Sequence, residues 1–470
     1  MKPMIVMLEK SNIFTHANLP KRWFSPIRLV VISYLAVILV GAFLLAQPFA
    51  SRTYQPTNFI DSLFTSTSAV AVTGLVVKDT STHWSIVGQM IILILIQIGG
   101  LGYITIFTFF LFVFRRGLTL KQGVLLQETL NYPTIKEIAK LAKRVFYFVI
   151  IFEGIGALIL FLRFLSPFNA ANLTTKNILY SAWHGIFHSL AAFNNAGFDL
   201  TGGFKSFADY VSDPIVNLTI TSLIITGGIG FYVLFEIYQK CSGIKQRLSL
   251  HSKVAIFATL FLVITGTILI FVLEYNNSDT LGKLNLPDKV MASYFQSVTS
   301  RTAGFNTIQI SALTNTSLLI IIILMFVGAS PGGTGGGIKT TTAATIFCYI
   351  KSMAKRKDTV EMGYRRVSYD KVNKAIFIFI ISLAFIFFMT LIISSIEPFA
   401  FLRVLFEVVS AYGTVGLSTG ITPLLSPISK LLISLTMFAG RAGMLSIILT
   451  FSIRIKRGKV LLPEEDLAIG

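Results

Sequence analysis

Ser410-Ala411-Tyr412-Gly413-Thr414-Val415-Gly416-Leu417 closes a short segment too polar to cross a bilayer and leads into a long apolar run. Three other stretches follow the same plan. They are Ser68-Ala69-Val70-Ala71-Val72-Thr73-Gly74-Leu75, Ala192-Phe193-Asn194-Asn195-Ala196-Gly197-Phe198 and Thr299-Ser300-Arg301-Thr302-Ala303-Gly304-Phe305-Asn306. Gly74, Gly197, Gly304 and Gly416 are spaced by 123, 107 and 112 residues. A repeat of that period divides the chain into four parts, 1–114, 115–239, 240–350 and 351–470.

Each part has the same order: an apolar helix, a shorter polar-tinged segment, the glycine loop and a second long apolar helix. The first set falls at about 29–48, 58–70, 71–76 and 85–114, and the second at about 145–166, 177–192, 193–198 and 214–239. The third falls at about 254–274, 287–299, 300–306 and 316–350, and the fourth at about 375–396, 398–411, 412–417 and 424–453. The short segments carry Asp61, His184, His188, Asp288, Gln296 and Glu407. They are too short and too polar to span, and fit half-helices buried within protein. The expected fold is an all-α integral membrane protein with eight spanning helices and four half-helices around one central pore.

Composition supports a multi-pass membrane chain. Mean hydropathy is +0.74, and only 13% of the 470 residues are charged. The net charge of +19 invites a nucleic-acid reading. Its distribution argues against one, since 28 of the 40 Lys and Arg fall in 1–28, 115–144, 240–253, 351–374 and 454–470. That asymmetry follows the positive-inside rule and places both termini in the cytoplasm. The outer segments balance their charge with acids such as Asp61, Asp79, Asp199, Asp288, Glu397 and Glu407, so the outer mouth does not repel cations. Leu29–Gln47 is longer than a signal-peptide core and reads as a retained helix. Cys241 and Cys348 both fall near the inner face, where a structural disulfide is not expected.

A dehydrated cation needs oxygens in place of its water, and consecutive backbone carbonyls supply them when they point at one axis. That requires residues alternating between ordinary and left-handed backbone, which glycine allows at little steric cost. A half-helix ending just before the loop also directs the negative end of its dipole toward the site. The blander reading makes each glycine a helix C-cap. Four matched copies favour the ion filter, built from Val72, Thr73, Gly74, Asn195, Ala196, Gly197, Thr302, Ala303, Gly304, Thr414, Val415 and Gly416.

On these motifs, with Gln97-Ile98-Gly99-Gly100-Leu101-Gly102 and Thr226-Gly227-Gly228-Ile229-Gly230-Phe231, residues 25–460 resemble the Trk/Ktr/HKT superfamily of cation transporters. The resemblance is greatest to the membrane subunits of bacterial Ktr potassium-uptake systems. It implies that the four loop glycines line one potassium filter per chain. It also implies a homodimer in a bacterial plasma membrane, working with a cytoplasmic nucleotide-binding regulatory ring. Potassium is then the substrate, bound at the filter alone, with no cofactor in the chain. Sodium as an activator is left open. Lys351–Lys374, a charge-rich inner loop, reads either as a solvated connector or as the ring's docking surface.

The second helix of the third part is interrupted by Gly328-Ala329-Ser330-Pro331-Gly332-Gly333-Thr334-Gly335-Gly336-Gly337. Six glycines and a proline cannot hold a helix there. A phosphate loop is excluded because Ile338 separates Gly337 from Lys339 and the flanks are apolar helices. A passive kink and a mobile loop across the pore remain. The resemblance favours the loop, with Gly328, Ser330, Gly332, Gly333, Thr334, Gly335, Gly336, Gly337 and Lys339 forming a gate. Arg441 lies within the apolar run Leu431–Ile453, where a charge is costly and faces a cavity. The resemblance sets it beside the gate.

His184 and His188 share a helical face but lack further ligands, so packing is expected rather than metal. No catalytic constellation appears, and the chain reads as a transporter rather than an enzyme. The expected function is potassium movement through a channel-like pore. The alternative is an ion-coupled symporter of potassium and sodium, though such carriers usually show two inverted halves.

Overall fold

The computed structural model describes residues 26–114, 135–167 and 174–444. Of the inner segments expected over 1–28, 115–144 and 454–470, residues 1–25, 115–134 and all of 454–470, with the Glu464-Glu465-Asp466 tail and the run beyond Met444, lie outside the described residues. Helices dominate. The chain opens with α1 (Pro26–Ala46), the short α2 (Phe59–Ala71) and α3 (Ile86–Phe114). Next come α4 (Ile135–Leu165), α5 (Thr175–Phe193), α6 (Pro214–Gly228) and α7 (Phe231–Cys241). These are followed by α8 (Leu250–Glu274), α9 (Leu286–Thr299), α10 (Asn315–Phe326) and α11 (Thr340–Ala354). An antiparallel hairpin, β1 (Val360–Met362) and β2 (Arg365–Val367), leads to α12 (Tyr369–Ile396), α13 (Phe401–Gly413) and α14 (Pro427–Ala442). The hairpin lies within the charge-rich loop, where the sequence shows no strand signal.

The helix starts follow local chemistry. Side chains of Asn58, Thr174, Asp213, Ser249, Asn285, Thr314 and Ser426 accept first-turn N–H groups that have no intrahelical partner.

Three described helices are long and apolar enough to cross a membrane: Arg144–Leu165, Leu250–Glu274 and Tyr369–Ile396. α6 and α7 make a fourth if taken together across their 100° bend. Among the described residues the expected count of eight is not reached by length and composition: α1 and α3 count only over Val31–Ala46 and Ile86–Gly102, and the second helices are interrupted. α3 leaves helical geometry at Gly102, α6 and α7 part at Gly230 (φ 101°), and α10 and α11 are separated by the glycine loop. α14 ends at Gly443 (φ 79°).

Helix packing repeats itself in detail. Ser66, Ser189 and Ser297, on α2, α5 and α9, donate to the carbonyls of Ile38, Glu153 and Val263 at 2.7, 2.7 and 2.8 Å. In each case the neighbouring helix carries a glycine three residues further on, Gly41, Gly156 or Gly266, where a Cβ would collide with that serine. Fully buried phenylalanines, Phe64, Phe187, Phe295 and Phe406, occupy matched positions on α2, α5, α9 and α13. The ends of these short helices that lead into the loops are buried throughout. The lipid-scale apolar surface lies elsewhere, on residues such as Ile32, Leu158, Phe257 and Phe388.

Candidate functional site: a glycine ring and the loop packed against it

Three of the four short helices end alike. At α2, α5 and α13 the chain turns through a left-handed residue and closes a paired cap. Val72 N–H donates to Ala69 and Thr73 N–H to Ser68. Asn195 and Ala196 repeat this with Ala192 and Ala191, and Thr414 and Val415 with Ala411 and Ser410. α9 differs: Ala303 N–H donates to Thr299, and its serine and phenylalanine stand one residue closer to the glycine.

The left-handed residue is not the glycine. It is Val72 (φ 58°), Asn195 (φ 60°), Thr302 (φ 74°) or Thr414 (φ 51°). Gly74, Gly197, Gly304 and Gly416 come two residues later, again at positive φ, between 68° and 93°. All four loops therefore alternate between left-handed and ordinary backbone. For β-branched Val and Thr this conformation costs roughly 1–3 kcal/mol each and persists because the surroundings enforce it.

The glycines meet. A Cβ on Gly74 would lie 2.5 Å from the Ala196 carbonyl oxygen and 2.8 Å from the Cα of Gly197. On Gly197 it would lie 2.8 Å from Ala303 O and 3.0 Å from the Cα of Gly304. On Gly304 it would lie 2.6 Å from Val415 O and 3.2 Å from the Cα of Gly416. On Gly416 it would collide with Thr73 O and sit 3.0 Å from the Cα of Gly74. The circuit closes, with each glycine beside a carbonyl of the next loop. Real Cβ atoms do not approach so closely, so both φ and space require glycine. Ser68 and Ser410 hydroxyls accept the N–H groups of Gly74 and Gly416 at 3.0 and 3.1 Å and brace two of the loops from behind.

The second helices approach the same ring. At Gly99, Gly227 and Gly440 a Cβ would overlap the carbonyl oxygens of Val70, Phe193 and Tyr412. Those carbonyls each belong to the residue two before a left-handed one.

The 328–337 loop packs against the left-handed residues. Its ends are joined through a parallel bridge between Val327 and Ile338, with Gly328 N–H donating to Ile338 at 2.9 Å. Ser330 and Thr334 N–H groups donate to Gly228 and Gly227 at 3.0 and 3.1 Å. Gly332 O accepts from Phe231 N–H, and the Ser330 and Thr340 hydroxyls pair at 2.9 Å. Gly336 N–H donates to Thr414 Oγ1 at 2.8 Å. A Cβ on Gly335 would overlap the Thr302 hydroxyl, and one on Gly336 would lie 2.6 Å from Thr414 Oγ1. Glycine content alone suggests mobility; in this conformation it answers to close packing. Among the loop glycines only Gly332 and Gly337 have positive φ.

Cationic side chains hold the loop. Arg441, in the last turn of α14, donates to Thr334 O, Gly99 O and Gly100 O, tying the loop to α3. Lys339 Nζ donates to Gly335 O at 2.7 Å. Arg301, a buried residue of the third loop that sequence reasoning misses, donates to Gly328 O at 3.3 Å. A charged residue inside an otherwise neutral glycine-loop motif is the signal that could have found it. Behind the second loop, Glu153 accepts from Gln97 at 3.1 Å and from Asn194 at 3.0 Å.

Several outer acids prove to be struts. Asp61 pairs with Lys430 at 2.8 Å, joining α2 to α14. Glu407 accepts from Ser418, Thr419 and Thr422, Glu397 from Ser426 N–H, and Asp288 from Ser212. His188 has both ring nitrogens engaged, Nε2 with Leu200 N–H at 3.0 Å and Nδ1 with His184 O at 2.8 Å. Cys241 and Cys348 are free.

Strained carbonyl loops closing on one ring inside an apolar helical frame define a membrane transport protein. The TrkH family model, described as a cation transport protein, matches residues 6–461, and the chain belongs to that family of transporters. It is 38% identical to Ktr system potassium uptake protein B of Bacillus subtilis, over 95% of this chain and 97% of that protein. It is 34% identical to the potassium/sodium uptake protein NtpJ of Enterococcus hirae, over 96% and 98%. The crystal structure of the potassium transporter TrkH from Vibrio parahaemolyticus shares the fold, with a TM-score of 0.71 at 17% identity over 92% of this chain and 86% of that one.

Proposed function

We propose that this chain is the ion-translocating membrane subunit of a potassium-uptake system, with the glycine ring as its selectivity filter and the 328–337 loop as its gate. The observation that carries the reading is the closed circuit of Gly74, Gly197, Gly304 and Gly416, each set against a carbonyl of the next loop. The matched phenylalanines of all four short helices, with the serine–glycine contacts of three, support four repeats, with eight spans whose second members bend at glycine. Oxygens at such a ring replace the hydration shell of a cation. The loop against Thr302 and Thr414 stands where it obstructs passage. The likeness to the Ktr proteins supports potassium as substrate and a regulatory partner system. We place both termini in the cytoplasm and assign the chain to a homodimer. We assign Lys351–Lys374, with its hairpin, to docking of a cytoplasmic nucleotide-binding ring.

The test is flux in liposomes. Gly416→Ser is expected to lower potassium-over-sodium discrimination while the protein still inserts and assembles. Unchanged selectivity at normal expression sinks the filter assignment. A second reading, potassium/sodium symport, is favoured by the similarity to NtpJ. It requires potassium flux against its own gradient when a sodium gradient is imposed; flux that always follows the potassium gradient excludes it.

A further inference from the structure

The left-handed positions before the four glycines hold different side chains: Val72, Asn195, Thr302 and Thr414. Two of these, Thr302 and Thr414, are hydroxyls at matched places on adjacent loops, and both are fully buried. The amide of Asn195 fits best turned so that its oxygen accepts from Thr302 Oγ1 at 3.2 Å and its nitrogen donates to Ala192 O and Ile224 O. The Thr302 hydroxyl then gives its proton to Asn195 and keeps its lone pairs. Thr414 Oγ1 is already an acceptor, because it takes the N–H of Gly336 from the loop at 2.8 Å. Gly335 covers Thr302 so closely that no side chain fits between them. The loop therefore does two things at this level: it fills space, and it occupies a hydroxyl oxygen.

We propose that Thr302 and Thr414 form the inner cation site of the filter and that the gate loop and the ion compete for it. Gly336 N–H takes one lone pair of Thr414 Oγ1, and the loop backbone that brings it lies against both hydroxyls, so a cation drawing on the same oxygens from that side meets the loop in its place. A ligand that binds one of two states shifts the equilibrium toward that state. A potassium ion at the inner site thus disfavours the latched loop, and the latched loop disfavours the ion. The gate is in part a cation-displaceable latch. The inference rests on reading the ring as a potassium filter.

The experiment uses the full chain in detergent or liposomes, with hydrogen exchange followed on peptides spanning 328–337. Exchange is compared in potassium chloride and in choline chloride at equal ionic strength. In the wild type, potassium is expected to raise exchange at this segment severalfold. Thr414→Val removes the acceptor, and Val72 shows that valine is held at the matched left-handed position of this fold. In Thr414→Val, exchange is expected to be high in both salts, with resting potassium flux raised severalfold. Thr414→Ser keeps the hydroxyl and is expected to retain the potassium response. A wild-type loop indifferent to potassium, or a Thr414→Val variant that responds as fully as the wild type, overturns the latch. Run alongside, Gly416→Ser separates the two ideas. If that variant loses selectivity while the loop ignores potassium, the filter stands and the latch falls. If its selectivity is unchanged, the filter reading falls and takes the latch with it.

Discussion

Arg441 and Thr334 are 107 residues apart in sequence, yet the guanidinium of one donates directly to the carbonyl of the other. The same guanidinium reaches Gly99 and Gly100 on α3, so one side chain joins the glycine loop to a helix from the opposite end of the chain. A planar fork of donors that keeps its charge suits this task; a lysine offers a single flexible ammonium.

Removing that tie is expected to raise potassium flux in the resting state. Arg441→Ala and a deletion of several loop glycines should each do so, and together they should give less than the sum, because they weaken one barrier. Arg441→Lys should recover little, since it cannot span both carbonyl groups. Liposome flux for the single and double variants is the measurement. Unchanged or abolished flux in well-folded Arg441→Ala assigns the residue to structure alone.

Substituting the ring glycines by alanine should damage selectivity in a fixed order. The added Cβ is most crowded at Gly416, then meets its nearest atom at 2.5 Å for Gly74, 2.6 Å for Gly304 and 2.8 Å for Gly197. Selectivity ratios from flux assays should rank Gly416 as most sensitive and Gly197 as least. An inverted ranking means that the loops do not share one rigid ring.

A separate set of glycines should matter for folding rather than selectivity. Gly99→Ala, Gly227→Ala and Gly440→Ala each force a Cβ into a carbonyl oxygen and should lower detergent Tm by many degrees. Gly154, on α4, has nothing within 4 Å of the place a Cβ would take and serves as the control. Gly154→Ala should hold or raise Tm, since alanine is the better helix former by up to ~1 kcal/mol.

The segment leaving the second glycine loop should respond to pH. Burial, with a smaller contribution from nearby Asp79, pushes the Asp199 carboxyl up to about 6, against hydrogen bonds from Thr201. A raised carboxyl pKa means that the folded state binds more protons than the unfolded chain between about pH 4 and 6, so this group's contribution to stability falls as pH rises through that window. Asp199→Asn removes the ionisation. The variant's Tm advantage over wild type should therefore be smallest near pH 4, grow through about pH 6 and level off above that window. A constant difference across that range shows that Asp199 ionises with no effect on folding.

Much of this arrangement is legible in the sequence because glycine is rarely repeated without reason. Four glycines behind four short polar-tinged segments already imply backbone chemistry at one axis. The 328–337 loop announces itself through proline and glycine density. What stays hidden depends on geometry that residue type opposes. Nothing about Val72 or Thr414 suggests left-handed backbone, so residue type points to a cap at the glycine, two residues too late. The bends at Gly102 and Gly230 are masked by apolar flanks that read as continuous helix. The Gly41–Ser66, Gly156–Ser189 and Gly266–Ser297 contacts are plain only once helices are placed side by side. The outer acids read as a mouth that does not repel cations because charge shows in sequence, whereas the hydroxyl, lysine or backbone N–H that engages each one does not.

The covalent continuity of the ring has a genetic consequence. A pore assembled from four identical chains changes all four quadrants with every mutation. Here Val72, Asn195, Thr302 and Thr414 occupy equivalent corners and differ freely, so selection acts on one corner at a time. On the proposed reading of the ring as a filter, such a chain is able to dedicate a single quadrant to an obstruction while the other three keep the aperture, and its permeability can drift by quarter steps instead of all-or-none jumps.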